Sequence, residues 1–176
     1  LVHLYSFKLN LNLKLSKLTM NDEQYMRLAL REAAIAFEKE EVPIGAILVI
    51  NDKIIARSHN QVELLNDSTA HAEILSLTAA YNSLGSKYVN DATLYVTIEP
   101  CLMCSGALYW SKIGKVVFGA PDDKNSYRKY TGDVNPFHPK TILVGGILKE
   151  ECSVLMKEFF KKRRSSLNPP KGDLSL

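Results

Sequence analysis

The stretch TLYVTIEPCLMC, residues 93–104, decides the fold. Thr93 to Ile98 carries the β-branched and aromatic residues of a buried strand. Glu99-Pro100 ends it, because a proline nitrogen has no hydrogen to give a neighbouring strand. A helix follows from Cys101 and stops before Gly114. Strands that alternate with helices build a sheet covered on both faces. The same stretch puts Cys101 and Cys104, at i and i+3, on one side of a helix start.

Working outward, the alternation recurs. KVVFGA (115–120) and TILVGG (141–146) read as two further strands. IGAILVI (44–50) is a continuous apolar run, and KIIARS (53–58) is its hairpin partner across an Asn51-Asp52 turn. Asn21 with Gln24 marks a helix start, with Asp22 and Glu23 at the positive end of the dipole. Met26, Ala29, Leu30, Ala33 and Phe37 then share one face. Residues 59–70 form a polar loop, and a helix runs from about Ala70 to near Gly85. Residues 121–139 are polar, with Tyr127, Arg128 and Tyr130 interleaved, and are the least readable segment. A last helix puts Cys152, Leu155, Met156, Phe159 and Phe160 on one face and ends in KKRR (161–164). The expected fold is α/β: a three-layer α/β/α sandwich around a five-stranded mixed sheet.

Composition narrows the class. A chain of 176 residues with 46% hydrophobic and 23% charged residues makes one globular domain with a real core. No apolar run reaches the length of a membrane span. Residues 1–19 alternate Leu with Lys and Asn and lack the compact apolar core of a secretory signal. They are expected to be a non-native or disordered extension upstream of the natural start. The domain is expected over 20–164, with a disordered tail over 165–176. Removing Lys8, Lys14 and Lys17 from the 22 cations leaves 19, equal to the 19 acids. Net charge therefore makes no case for nucleic acid, and any basic surface must be local. Three cysteines without a signal peptide point to a reducing cytoplasm rather than a disulfide framework.

Two helix starts leaving one edge of a sheet can converge. TAHAE (69–73) supplies His71 at one start, and Cys101 and Cys104 stand at the other. One imidazole and two thiolates make a zinc set, with three protein ligands and a fourth position left for water, as in catalytic sites. Cys152 reads as a small buried hydrophobe, and His59 and His138 as loop residues without ligand spacing. Glu73 lies two residues from His71, so it points elsewhere than the imidazole and can reach over the open position. A carboxylate there can accept a proton from an activated water and pass it on. Each residue alone has an ordinary structural explanation. The order H-x-E then P-C-x-x-C, at two strand-to-helix junctions, does not.

That combination resembles the zinc-dependent cytidine/purine deaminase superfamily. The likeness runs from about Met20 to Arg164. EVPIGAILV (41–49), HN (59–60), NDSTAHAEILSL (66–77), DATLYVTIEPCLMCSGAL (91–108), VVFGA (116–120) and EFFKKRR (158–164) are similar to bacterial tRNA adenosine deaminases. The resemblance implies a cytidine deaminase-like fold, a homodimer, and conversion of adenosine to inosine at the wobble position of a tRNA anticodon. It implies one Zn2+ per subunit on His71, Cys101 and Cys104, with Glu73 as the proton shuttle. Asn60 matches the asparagine that hydrogen-bonds the target base.

Two departures keep the substrate open. After VVFGA the chain reads PDDKNSYRKYTGD, with bulky Tyr127 where the family has small residues. Tyr109-Trp110 is similar to a pair in guanine deaminases. The leading expectation is a tRNA anticodon loop as partner. Tyr127 and Arg128 would meet RNA through an aromatic face and a cation, and KKRR would form a second basic cluster. The alternatives are a deaminase of a free base or nucleotide, guanine or cytosine, and a non-catalytic zinc protein. Glu73 argues against the last, which has no chemical need of that carboxylate.

Overall fold

A computed structural model describes residues 20–167 of the chain. The expectations for residues 1–19 and 168–176 lie outside the described residues. The elements are α1 (Asp22–Glu38), β1 (Gly45–Ile50), β2 (Lys53–His59), α2 (Val62–Leu65), α3 (Ala72–Leu84), β3 (Ala92–Ile98), α4 (Leu102–Trp110), β4 (Lys115–Ala120), α5 (Arg128–Thr131), β5 (Ile142–Gly145) and α6 (Lys149–Leu167). One five-stranded sheet has the order β2-β1-β3-β4-β5. β1 runs antiparallel to β2 and β3, while β3, β4 and β5 are mutually parallel, so the sheet is mixed as expected.

Local chemistry sets the boundaries. Asn21 caps α1 through a reciprocal box with Gln24, both bonds at 2.9 Å. The β1–β2 hairpin turns on Asn51 and Asp52, with φ of 49° and 61°. Two positive φ values define the turn whose twist matches a hairpin, and Asn and Asp tolerate them. β1 begins at Gly45 because α1 lies directly on it. A Cβ there would collide with the backbone of Ala29 and Ala33.

Alternation along the strands splits the core in two. Ala46 and Leu48, Leu94 and Val96, and Val116 and Phe118 face one side, with Ala72, Leu77 and Ala80 of α3 and Leu108 of α4. Ile47 and Val49, Tyr95, and Val117 face the other, with Met26 and Ala29 of α1 and Cys152 of α6. The three layers follow. Among the described residues no helix is long and apolar enough to cross a membrane.

Several expectations differ in detail. The polar loop at 59–70 contains the single turn α2, and 121–139 contains the single turn α5. One turn is too short to print a period in sequence. His59 ends β2 rather than lying in a loop. α6 continues to Leu167, so residues 165–167 of the expected tail are helical. Phe160 is 42% exposed, whereas Phe159 on the same helix is buried.

The topology prepares one end of the sheet. β3 and β4 are parallel, so their C-terminal ends lie together, and the register pairs Ile98 with Ala120. The antiparallel hairpin brings the start of β1 and the end of β2 to that end, pairing Gly45 with His59. Loops after parallel strands are where open α/β sheets bind ligands.

Candidate metal centre and its pocket

His71 is the N-cap of α3 and Cys101 the N-cap of α4, both in extended conformation. Each is therefore the last residue before its chain coils. His71 Nδ1 lies 3.6 Å from Cys101 Sγ and 3.5 Å from Cys104 Sγ. All three donor atoms lie within 4.8 Å of one another. A tetrahedral zinc with bonds of about 2.3 Å to sulfur and about 2.0 Å to nitrogen holds those atoms about 3.5 Å apart. The donor set and its spacing therefore fit the metal. The thiols are already unlike: Cys104 donates toward Cys101, which with His71 brings the Cys101 thiol down to about 4 and pushes Cys104 up. His71 is raised, first by its bond with Cys101 and then by the Glu73 charge.

Glu73 is the second residue of α3, buried, and its Oε2 has no hydrogen-bond partner among the described residues. Burial raises its carboxyl above the ordinary range, and Cys101 adds to the rise. An unpartnered buried carboxylate oxygen is costly unless the site uses it.

These groups open into a cavity of about 290 Å3. That volume is at the small end of ligand pockets and suits one base rather than a helix. Asn60, buried at 3% exposure, lies in its wall, with Nδ2 donating to Glu41 Oε2 at 2.9 Å. Glu41, Glu99, Asp122, Asn125, Met156 and Phe160 also line it, and the sequence reading assigned none of them to the pocket. Glu41 closes the charge run EKEE (38–41) and opens the stretch EVPIGAILV (41–49). The nearby Pro43 breaks the helix pattern there. Met156 and Phe160, at i and i+4, read as core.

Tyr127, expected at the substrate, does not line this pocket. Its ring is 7% exposed, edge-on to Phe137 with centroids 5.2 Å apart, and it belongs to the core with Phe118. Ser126 forms a bridge with Cys101, and Tyr127 N–H donates to Pro100 O at 3.1 Å. This stitching turns the ring inward, away from the pocket of His71 and Glu73. Arg128 is also outside the pocket: Nε lies 2.7 Å from Glu99 Oε1, an ion-pair contact rather than an aligned hydrogen bond. Both residues line a separate cavity beside Gly132 and Val134.

The remaining candidates sort clearly. Cys152 is buried in the core, and burial pushes its thiol up to about 12. His59 sits between Lys39 Nζ at 3.2 Å and Glu32 Oε2 at 3.4 Å, apart from the metal donors. The His138 ring packs near Tyr109. Tyr109 and Trp110 do not line the pocket, and Trp110 is 76% exposed. A larger groove of about 390 Å3 runs between α1 and α6, with Lys39, Lys162 and Arg163 in its walls. It shares Glu63 with the pocket of His71 and Cys101 but has none of the three candidate donors.

Comparison with known proteins agrees with this geometry. The family model of the MafB19-like deaminases matches residues 20–164. A tRNA-specific adenosine deaminase of Bacillus subtilis is 45% identical over 88% of this chain and 98% of its own length. The chloroplastic tRNA(adenine(34)) deaminase of Arabidopsis thaliana is 43% identical over 81% of this chain, which matches 12% of that longer protein. A solved structure from work on tRNA:A34 deaminases superimposes with a TM-score of 0.70, at 38% identity, over 75% of this chain and 98% of that one. The guanine deaminase of Bacillus subtilis superimposes with a TM-score of 0.56, at 36% identity, over 58% of this chain and 66% of that one.

Proposed function

The chain belongs to the MafB19-like deaminase family, and on that premise we propose that it hydrolyses adenosine to inosine at the wobble position of a tRNA anticodon. The observation that carries the chemistry is the unpartnered Oε2 of Glu73 beside a His71–Cys101–Cys104 donor set of zinc geometry. One zinc per subunit on those three residues would acidify water and polarise it for attack. Glu73 Oε2 takes one proton of the attacking water and delivers it to the ring nitrogen of the base, then carries the second, from the new hydroxyl, to the amine, which departs as ammonia. Asn60 orients the base through its side-chain amide. The small, walled cavity admits one extruded base, as enzymes acting on a single base require.

RNA outside the pocket meets the groove that adjoins it. Lys39, Lys162 and Arg163, against Glu40 and Glu63 in the same walls, leave that groove a net excess of the cations a phosphate backbone needs. The substrate-contact expectation for Arg128 becomes, in this reading, support of Glu99 in the pocket wall. The reading includes a homodimer. Leu102, Met103, Tyr109 and Trp110 leave an exposed apolar stripe on α4, the kind of patch a partner covers. Free thiols as ligands suit a reducing cytoplasm.

The test is deamination of an anticodon stem-loop with a wobble adenosine, beside free guanine, cytosine and adenosine. Inosine in the RNA alone is the expected result, with log K falling by about 0.7 per neutralised phosphate against log salt. Turnover of a free base with the RNA untouched would refute the substrate while leaving the metal centre standing.

A further inference from the structure

Glu41 has no role in the chemistry above, yet it is among the most enclosed charged residues of the domain, at 1% exposure. Both its oxygens accept hydrogen bonds: Oε2 from Asn60 Nδ2 at 2.9 Å, and Oε1 from the Leu64 backbone N–H at 2.8 Å. The chain delivers it there by a left-handed residue, Glu40 (φ 62°), and a bond from Glu41 N–H to Ala36 O at 2.9 Å. Asn60 is also held by its backbone, which donates to Ile44 O at 2.9 Å. The next residue, Gln61, donates to Ala70 O at 3.0 Å, beside the metal ligand His71. Three segments are thus laced together where the pocket opens.

The consequence lies in the amide of Asn60. Its two ends have nearly the same shape, but one donates and the other accepts. Whichever end faces the pocket decides which base edge can be read. Glu41 Oε2 offers only acceptance to its neighbour, so Nδ2 must face Glu41 and Oδ1 must turn away. No described residue donates to Oδ1, and Asn60 lies in the pocket wall. The second bond adds rigidity. Leu64 N–H is one of the unpaired donors at the start of α2, and the N-cap Gln61 supplies no side-chain bond. Glu41 caps that turn from a distance and fixes the wall containing Val62 and Glu63.

We propose that Glu41 is a positioning residue that sets base specificity: it locks the Asn60 amide so that the pocket presents one carbonyl acceptor and one remaining N–H. A nucleobase edge carrying a donor beside an acceptor, as adenine does, complements that pattern. The proposal rests on Asn60 meeting the base.

The test is a charge swap, read as kcat and KM on the stem-loop with metal content and thermal midpoint measured beside them. E41Q brings one amide oxygen to two donors, so kcat/KM falls about tenfold or more. N60D sets two carboxylates face to face and falls at least as far. In E41Q/N60D the introduced amide donates to the aspartate and still accepts from Leu64 N–H. Both contacts of residue 41 and the pocket-facing acceptor return while the pocket-facing N–H does not, so kcat/KM recovers about tenfold over N60D and stays below the parent. A swap no better than N60D, in protein of parental metal content and midpoint, overturns the proposal. If E41Q alone fails to fold, the swap against N60D still decides, because both Glu41 contacts survive in it. Parental kcat/KM in N60A and N60D would overturn the base-contact reading of Asn60, and the proposal with it, while leaving the metal-site reading intact.

Discussion

Glu73→Gln tests the mechanism most directly, because it removes a proton carrier without changing volume. The size of the effect follows from the other carboxylates around the pocket. Both Glu41 oxygens are engaged by Asn60 and Leu64. Glu99 contacts Arg128 and accepts from Asp122 N–H at 3.3 Å. Asp122 Oδ1 accepts from the backbone of Lys124 and Asn125. Glu63 stands on the exposed rim. None can replace Glu73, so the whole general acid–base contribution is lost, about 10²–10⁴ in rate, or about 2.7–5.5 kcal/mol in barrier. Metal content should stay parental, since the three donors are untouched. Folding should not suffer. Burial raises the Glu73 carboxyl, so ionising it costs stability at pH values above its unfolded value. The glutamine variant removes that cost, and the midpoint of metal-stripped protein at neutral pH should hold or rise. Single-turnover inosine formation on the stem-loop, with metal measured by atomic emission, reads both quantities. A turnover within tenfold of the parent, in fully metallated protein, would refute the proton-shuttle role.

Cys104→Ser replaces a fully buried thiol 3.5 Å from His71 Nδ1 by a hydroxyl, a poor ligand for a borderline-soft ion. Metal content and activity should be lost together, and retention of both would exclude Cys104 from the ligand set. Asp22 ties the start of α1 to β3 and β4, accepting from Tyr95 Oη at 2.8 Å and from Lys115 Nζ at 2.7 Å. Burial pushes its carboxyl up, but the Lys115 and Tyr95 bonds outweigh it and hold the group below its ordinary value. A lowered folded-state pKa gives stability that is present above the unfolded value and lost as pH falls through the folded one. Asp22→Asn should therefore lower the midpoint at pH 7 by about 1 kcal/mol's worth, and the gap to the parent should close below the ordinary carboxylate range. A pH-independent gap would assign the loss to packing instead.

Sequence by itself determined what depends on near neighbours along the chain. The box at Asn21 and Gln24 and the turn at Asn51-Asp52 are each settled within four residues. His71, Cys101 and Cys104 were legible because each lies at or within a turn of a helix start; Cys101 follows β3 directly, whereas the α2 turn stands between β2 and His71, a detail of the expected strand-to-helix junction that the structure corrects. Burial was legible only where a period repeats. Tyr127 sits in a segment with no period, so an aromatic beside cations read as a nucleic-acid surface; its burial edge-on to Phe137, in the cluster that holds Phe118, was not legible there. Glu41 stood in the sequence only as the first residue of EVPIGAILV, and Phe160 as one more residue of an apolar stripe. Their places in the pocket depend on chain segments brought beside α1 and α6 from elsewhere. Tertiary structure alone decided those, because a buried carboxylate is stable only where donors arrive to meet it, and these come from Asn60 and Leu64.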